Sequence, residues 1–152
     1  MAARNVIVIG LAVLGTAMLA STPAAASDIA QIKVANGTVI VERGSQRLMA
    51  VPGTRLRQSD VVRTGINGSV GLTFTDNTMM SAGPNSVIAL EGYAFNSTTH
   101  EGRLDASVRT GTLSVVSGKI AKQSPEAMKV KTPATILGVR GTEFFVQVGE
   151  VK

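Results

Sequence analysis

The sequence predicts an all-β fold: a single domain of about ten short strands, built as a jelly roll, a β-helix or a sandwich, behind an N-terminal signal peptide. Three observations lead there. Short β-branched or apolar runs are broken by Gly, Asn, Asp or Pro roughly every eight to twelve residues. No stretch after Ser27 repeats its apolar residues at the helical spacing of about 3.6. The clearest runs alternate, as in Ser69-Val70-Gly71-Leu72-Thr73-Phe74-Thr75, where Val70, Leu72 and Phe74 share one face. With 152 residues, 44% of them hydrophobic and 16% charged, the chain has apolar surface for one core and is unlike a disordered polymer.

The N-terminus comes first. Arg4 precedes an apolar run from Val6 to Ala20, and Pro23 stops it just before Ala24-Ala25-Ala26-Ser27. Small residues at Ala24 and Ala26 form the A-x-A pattern of a signal-peptidase site, which predicts cleavage between Ala26 and Ser27. The run falls short of the roughly 18 to 20 residues that span a bilayer, so an export signal is favoured over an anchor. The expected organisation is a signal peptide over 1–26, a linker over 27–36, the β domain over 37–148 and a tail over 149–152. The protein is therefore expected to be periplasmic or secreted, with no transmembrane helix in its mature form.

Within the domain, strands are predicted at 37–42, 47–51, 60–63, 69–75, 78–82, 87–90, 103–108, 112–117, 128–131 and 143–148. Pro52-Gly53, Asn67-Gly68, Asp76-Asn77 and Gly83-Pro84-Asn85 supply preset or positive φ where the chain reverses. Stretches 96–101 and 121–126 read as longer loops. Val-Arg-Thr-Gly occurs at Val62–Gly65 and again at Val108–Gly111, a hint of two related sheet halves.

Composition removes much chemistry. Without Cys there is no disulfide, thiolate site or cysteine nucleophile, and one His cannot build a multi-histidine metal centre. His100 sits in the polar loop Asn96–Glu101 with no nucleophile motif elsewhere, and no spacing selects two carboxylates from Asp60, Asp76, Glu91, Glu101, Asp105 and Glu143. Phosphate loops and calcium-binding repeats are absent. No enzyme activity, cofactor or metal is expected. Removing Arg4 with the leader leaves a mildly positive balance of scattered charges, and aromatics are scarce, which argues against nucleic acid.

The most informative stretch is Thr132-Pro133-Ala134-Thr135-Ile136-Leu137-Gly138-Val139-Arg140-Gly141-Thr142-Glu143-Phe144-Phe145-Val146. It closely resembles the closing signature of FecR-type domains, a Thr-Pro step followed by Val/Ile-Arg-Gly-Thr and a Phe-x-Val strand. Upstream, Asp60-Val61-Val62-Arg63-Thr64-Gly65, Gly68 to Phe74, Asp76-Asn77-Thr78 and Gly83-Pro84-Asn85-Ser86 follow the same family's course, and the resemblance covers about 37–148. It implies an all-β periplasmic domain without enzyme activity. In the best-known members a cytoplasmic segment controls a sigma factor, a membrane helix follows, and the periplasmic part receives a signal from an outer-membrane iron-siderophore transducer. Only Met1 to Asn5 precede the apolar run here, so the expectation is a stand-alone exported member lacking the sigma-regulating segment.

Elementary chemistry accounts for the motif residues in two ways. Pro133 suits a turn or edge that needs no backbone donor, Gly138 and Gly141 permit close approach or positive φ, and Arg140 can pair with Asp60 or Asp76. On that reading Asp60, Thr64, Gly65, Asp76, Gly83, Pro84, Pro133, Gly138, Arg140, Gly141, Thr142 and Phe144 serve architecture. Alternatively an exposed Arg140 clamps a partner's carboxylate or phosphate. The expected function is a non-catalytic sensory, regulatory or scaffold domain that binds an envelope protein, with a strand edge as its natural contact. The alternative is a module for glycan, peptidoglycan or another anionic polymer, supported by the positive balance and by outward faces rich in Ser, Thr and Arg.

Overall fold

A computed structural model describes residues 20–22, 25–139 and 143–149. The fold is all-β, as the sequence predicts, and among the described residues twelve strands form one sheet curled on itself. In chain order they are β1 (Asp28–Asn36), β2 (Val39–Arg43), β3 (Gln46–Met49), β4 (Arg55–Arg57), β5 (Val61–Thr64), β6 (Ser69–Phe74), β7 (Met79–Ala82), β8 (Val87–Phe95), β9 (Gly102–Val116), β10 (Met128–Lys131), β11 (Ile136–Gly138) and β12 (Glu143–Val148). The hydrogen-bonded path runs β3-β2-β5-β8-β9-β7-β6-β1-β4.

β9 is the spine. Its first half pairs antiparallel with β8 and parallel with β10, and its second half pairs antiparallel with β7 and β12. The two halves face the core with opposite parity: Leu104, Ala106 and Val108 are buried before the bend, Leu113 and Val115 after it. The pairing with β8 passes from Val108 to Thr110, leaving Arg109 as the extra residue, and Gly111 follows it at φ +88°, so that both apolar faces point inward. β6 shows the simpler rule, with Val70, Leu72 and Phe74 buried and Ser69, Gly71 and Thr73 facing out. Ile32, Leu56, Leu72, Met80, Ile88, Leu90, Leu104 and Leu113 lie fully buried between the two limbs of the curl. Truncating any of them to Ala would cost about 2 to 5 kcal/mol.

Three expectations are corrected. The stretch 27–36 is not a linker: β1 lies between β4 and β6 and buries Ile29, Ala30 and Ile32. Stretch 121–126 is not a plain loop, because the short helix α1 (Lys119–Gln123) and a 3-10 turn (Pro125–Ala127) occupy it and seat Ile120 in the core. The strands expected at 103–108 and 112–117 are one bent strand, β9. Ala26 and Ser27 are exposed and irregular immediately before β1, while residues 1–19, 23 and 24 of the expected leader lie outside the described residues. Among the described residues, no helix is long and apolar enough to cross a membrane.

Candidate functional site

Three buried polar clusters account for the upstream motifs. At the start of β5, the Asp60 carboxylate, 1% exposed, accepts two hydrogen bonds from Arg43, from Nε at 2.9 Å and Nη2 at 2.7 Å, and one from the Arg57 N–H at 2.8 Å. The bidentate partner holds the Arg43 guanidinium protonated beyond its ordinary range. The structure thus gives Asp60 to Arg43, where the sequence reading offered it to Arg140. Arg140, Gly141 and Thr142 lie outside the described residues.

The second cluster explains the repeated Val-Arg-Thr-Gly. Both copies flank the turn from Gly83 to Ser86 that joins β7 to β8. From the first copy, the Thr64 hydroxyl donates to the Gly83 carbonyl at 2.6 Å and accepts from the Ser86 N–H at 2.9 Å, and the Asn85 N–H donates to the Gly65 carbonyl at 3.1 Å. From the second, the Thr110 hydroxyl donates to the Asn85 carbonyl at 3.2 Å, and Gly111 lies against Ser86 so closely that a Cβ would overlap it. The repeat therefore marks two strands gripping one turn.

The third cluster is centred on Asp76, which is fully buried. Its carboxylate accepts from the Thr78 N–H at 3.1 Å, the Thr78 hydroxyl at 2.7 Å, the Ile120 N–H at 3.2 Å and the Tyr93 hydroxyl at 3.4 Å. Its own N–H donates to the Tyr93 oxygen at 3.0 Å, and the Thr75 hydroxyl meets the same oxygen at 2.7 Å. Asp76 so ties the β6–β7 turn to α1 and β8 through uncharged donors, a set no spacing in the sequence announces. Burial is the main cause that raises the Tyr93 pKa to about 12.

The closing signature behaves differently. Pro133, Ala134, Thr135, Ile136, Leu137 and Gly138 are all exposed, and the space around Gly138 is open. Phe145 on β12 is 64% exposed and Ile136 61%. Phe144, on the opposite face of β12, is half-buried against the core. Between the Thr132–Thr135 turn and β12 lies a cleft of about 520 Å3, lined by Pro133, Leu137, Phe145, Gln147 and Val148 among others. A second, polar cleft of about 320 Å3 lies over β1, β4 and β6 and is lined by Gln31, Lys33, Arg55, Thr73 and Asn77 among others.

Neither cleft contains His100, which stacks on Phe95 at 6.3 Å in its loop. Among the described residues, no group of three His, Asp or Glu is placed to hold a metal ion.

No curated protein and no solved structure matches this chain. A family model does: the model described as FecR protein matches residues 60–152, a span that opens on the Arg43-bound Asp60, takes in the Gly83–Ser86 turn and the Asp76 cluster, and includes the exposed signature. The chain belongs to the FecR protein family.

Proposed function

We propose that this chain is a non-catalytic regulatory domain of the bacterial envelope, exported by its leader, that acts by binding another envelope protein. FecR domains are periplasmic and regulatory, which supports the compartment and the class. One observation carries the binding reading. The most distinctive stretch of the chain, Pro133 to Gly138 with Phe145 beside it, is displayed to solvent as an apolar surface around a cleft. Apolar side chains left out of the core at a motif point to a contact surface.

Photo-crosslinking residues placed at Leu137 and at Phe145 in cells test this. They should trap a discrete species that the same group at Arg109 does not; identical background at all three positions would sink the reading. Arg140→Ala sorts the two roles weighed for that residue. Lost crosslinking with an unchanged melting temperature assigns it to the contact, and a collapsed melting temperature assigns it to the fold.

A second reading has its own observation. The polar cleft carries Lys33 and Arg55, with one carboxylate, Asp28, among amides and hydroxyls, a net positive lining that suits an anionic glycan. Arg55 already pairs with Asp28 at 3.3 Å and Lys33 donates to Gln31 at 2.8 Å, so less of their charge is free for a ligand. Elsewhere Arg63 pairs with Glu42, Arg103 with Asp105 and Lys131 with Glu91. Retention on purified wall material at low salt and its loss at high salt would support this alternative; no retention at low salt removes it.

A further inference from the structure

We infer that the cleft beside β12 takes an extended, uncharged segment of a partner protein, added to the sheet as one more strand; this rests on the protein-binding reading above. Among the described residues four strands lie at the sheet's margins. β3 has four residues and carries Arg47, β4 has three and carries Arg55 and Arg57, and β11 has three and follows closely on Pro133. Short length, exposed cations and a nearby proline are the devices by which proteins blunt an edge against further pairing.

β12 has none of them. It runs six residues in unbroken register with β9 and contains no Lys, Arg or Pro. Among the described residues its other edge meets no strand.

The cleft lies along that edge. Five consecutive residues, Phe145 to Gly149, line it, so both side-chain faces of the strand and the backbone between them border the space. The opposite wall is the Thr132–Thr135 turn, closed by the Thr132 N–H to the Thr135 carbonyl at 2.8 Å and the Thr135 N–H to the Thr132 hydroxyl at 3.1 Å.

The lining decides the chemistry. Among the described residues none bordering the cleft is charged, so this lining offers nothing to an anionic polymer and penalises a charged peptide. Backbone pairing along β12 would supply affinity, and Leu137, Phe145 and Val148 would select apolar side chains at alternate positions.

The test uses the purified chain and a capped peptide of alternating Val and Thr, with a version carrying Lys at the Val positions and a version carrying Pro. Amide hydrogen exchange is read residue by residue. At about ten times its Kd the Val/Thr peptide should slow exchange at alternate residues of β12 roughly tenfold, while the Lys and Pro versions should not. Phe145→Lys should weaken the effect without moving the melting temperature. No slowing at saturating peptide would overturn the inference. So would slow exchange along the outer edge of β12 in a chain that sediments as a dimer without peptide, since a second copy would then be the occupant. Should Leu137 crosslink a partner in cells while the peptide does nothing, strand addition fails and the protein-binding reading stands.

Discussion

Between Asp60 and Ser86 five polar motif residues turn inward. Asp60, Thr64, Asp76, Thr78 and Ser86 are buried, and each has hydrogen-bond partners in the described residues. From Pro133 to Gly138 the motif turns outward, with every residue exposed and Ile136 and Leu137 presenting apolar side chains to water. The difference separates two reasons for a sequence to be distinctive. A buried polar residue must be matched by particular donors, because an unmatched group costs about 1 to 3 kcal/mol. An exposed apolar one adds nothing to such a network and makes sense as a surface for something else.

Substitutions in the two regions should therefore differ in kind, and the largest effect is expected at Asp76. Asp76→Ala strips acceptors from the Thr78 and Ile120 N–H groups, both buried, and should cost about 3 to 5 kcal/mol in urea unfolding. A loss below about 1 kcal/mol would break the contrast. Next comes Gly111→Ala, which forces a left-handed φ of +88° on a residue whose Cβ would overlap Ser86. About 1 to 3 kcal/mol should be lost.

Tyr93 sharpens the comparison through pH. Its pKa lies near 12 in the fold against an ordinary 10, so the folded state retains the phenolic proton longer. That contribution is fully present below about pH 10 and is lost as pH rises toward 12. Tyr93→Phe should flatten the alkaline fall in stability relative to the parent chain, measured by urea midpoints across that window. The smallest effect on stability belongs to the exposed region. Phe145→Lys should stay within about 0.5 kcal/mol of the parent while abolishing crosslinking in cells.

The strands that alternate cleanly are legible in the amino-acid pattern alone. β6 and β12 sit where Val70, Leu72, Phe74 and Val146 place them, and β12 matches the expected bounds of 143–148. β1 escapes because its pairing shifts register between Asp28 and Ala30 and again between Ile32 and Val34, which destroys the period of two. β4 and β11, at three residues each, carry too little pattern to detect. α1 is too short for helical periodicity to appear.

Among the motif residues, the turn formers Gly83 and Pro84 are legible from local chemistry. Their partners are not. Arg43 lies 17 residues from Asp60 and Ile120 lies 44 from Asp76, and only the curl of the sheet brings them together. The repeated Val-Arg-Thr-Gly does signal kinship, but a kinship of role, since both copies hold the same turn.

The long strand shared by both limbs has a consequence for how the chain reaches its shape. β7 and β8 are made before residue 102, yet each needs β9 as a lateral neighbour, and β10 and β12 need it afterwards. Native assembly must wait until most of the polypeptide exists, and it then depends on joining segments distant in sequence. Such a topology folds slowly. A newly made molecule would accordingly linger in an open, threadable condition, which is the condition that passage through a narrow translocation channel requires.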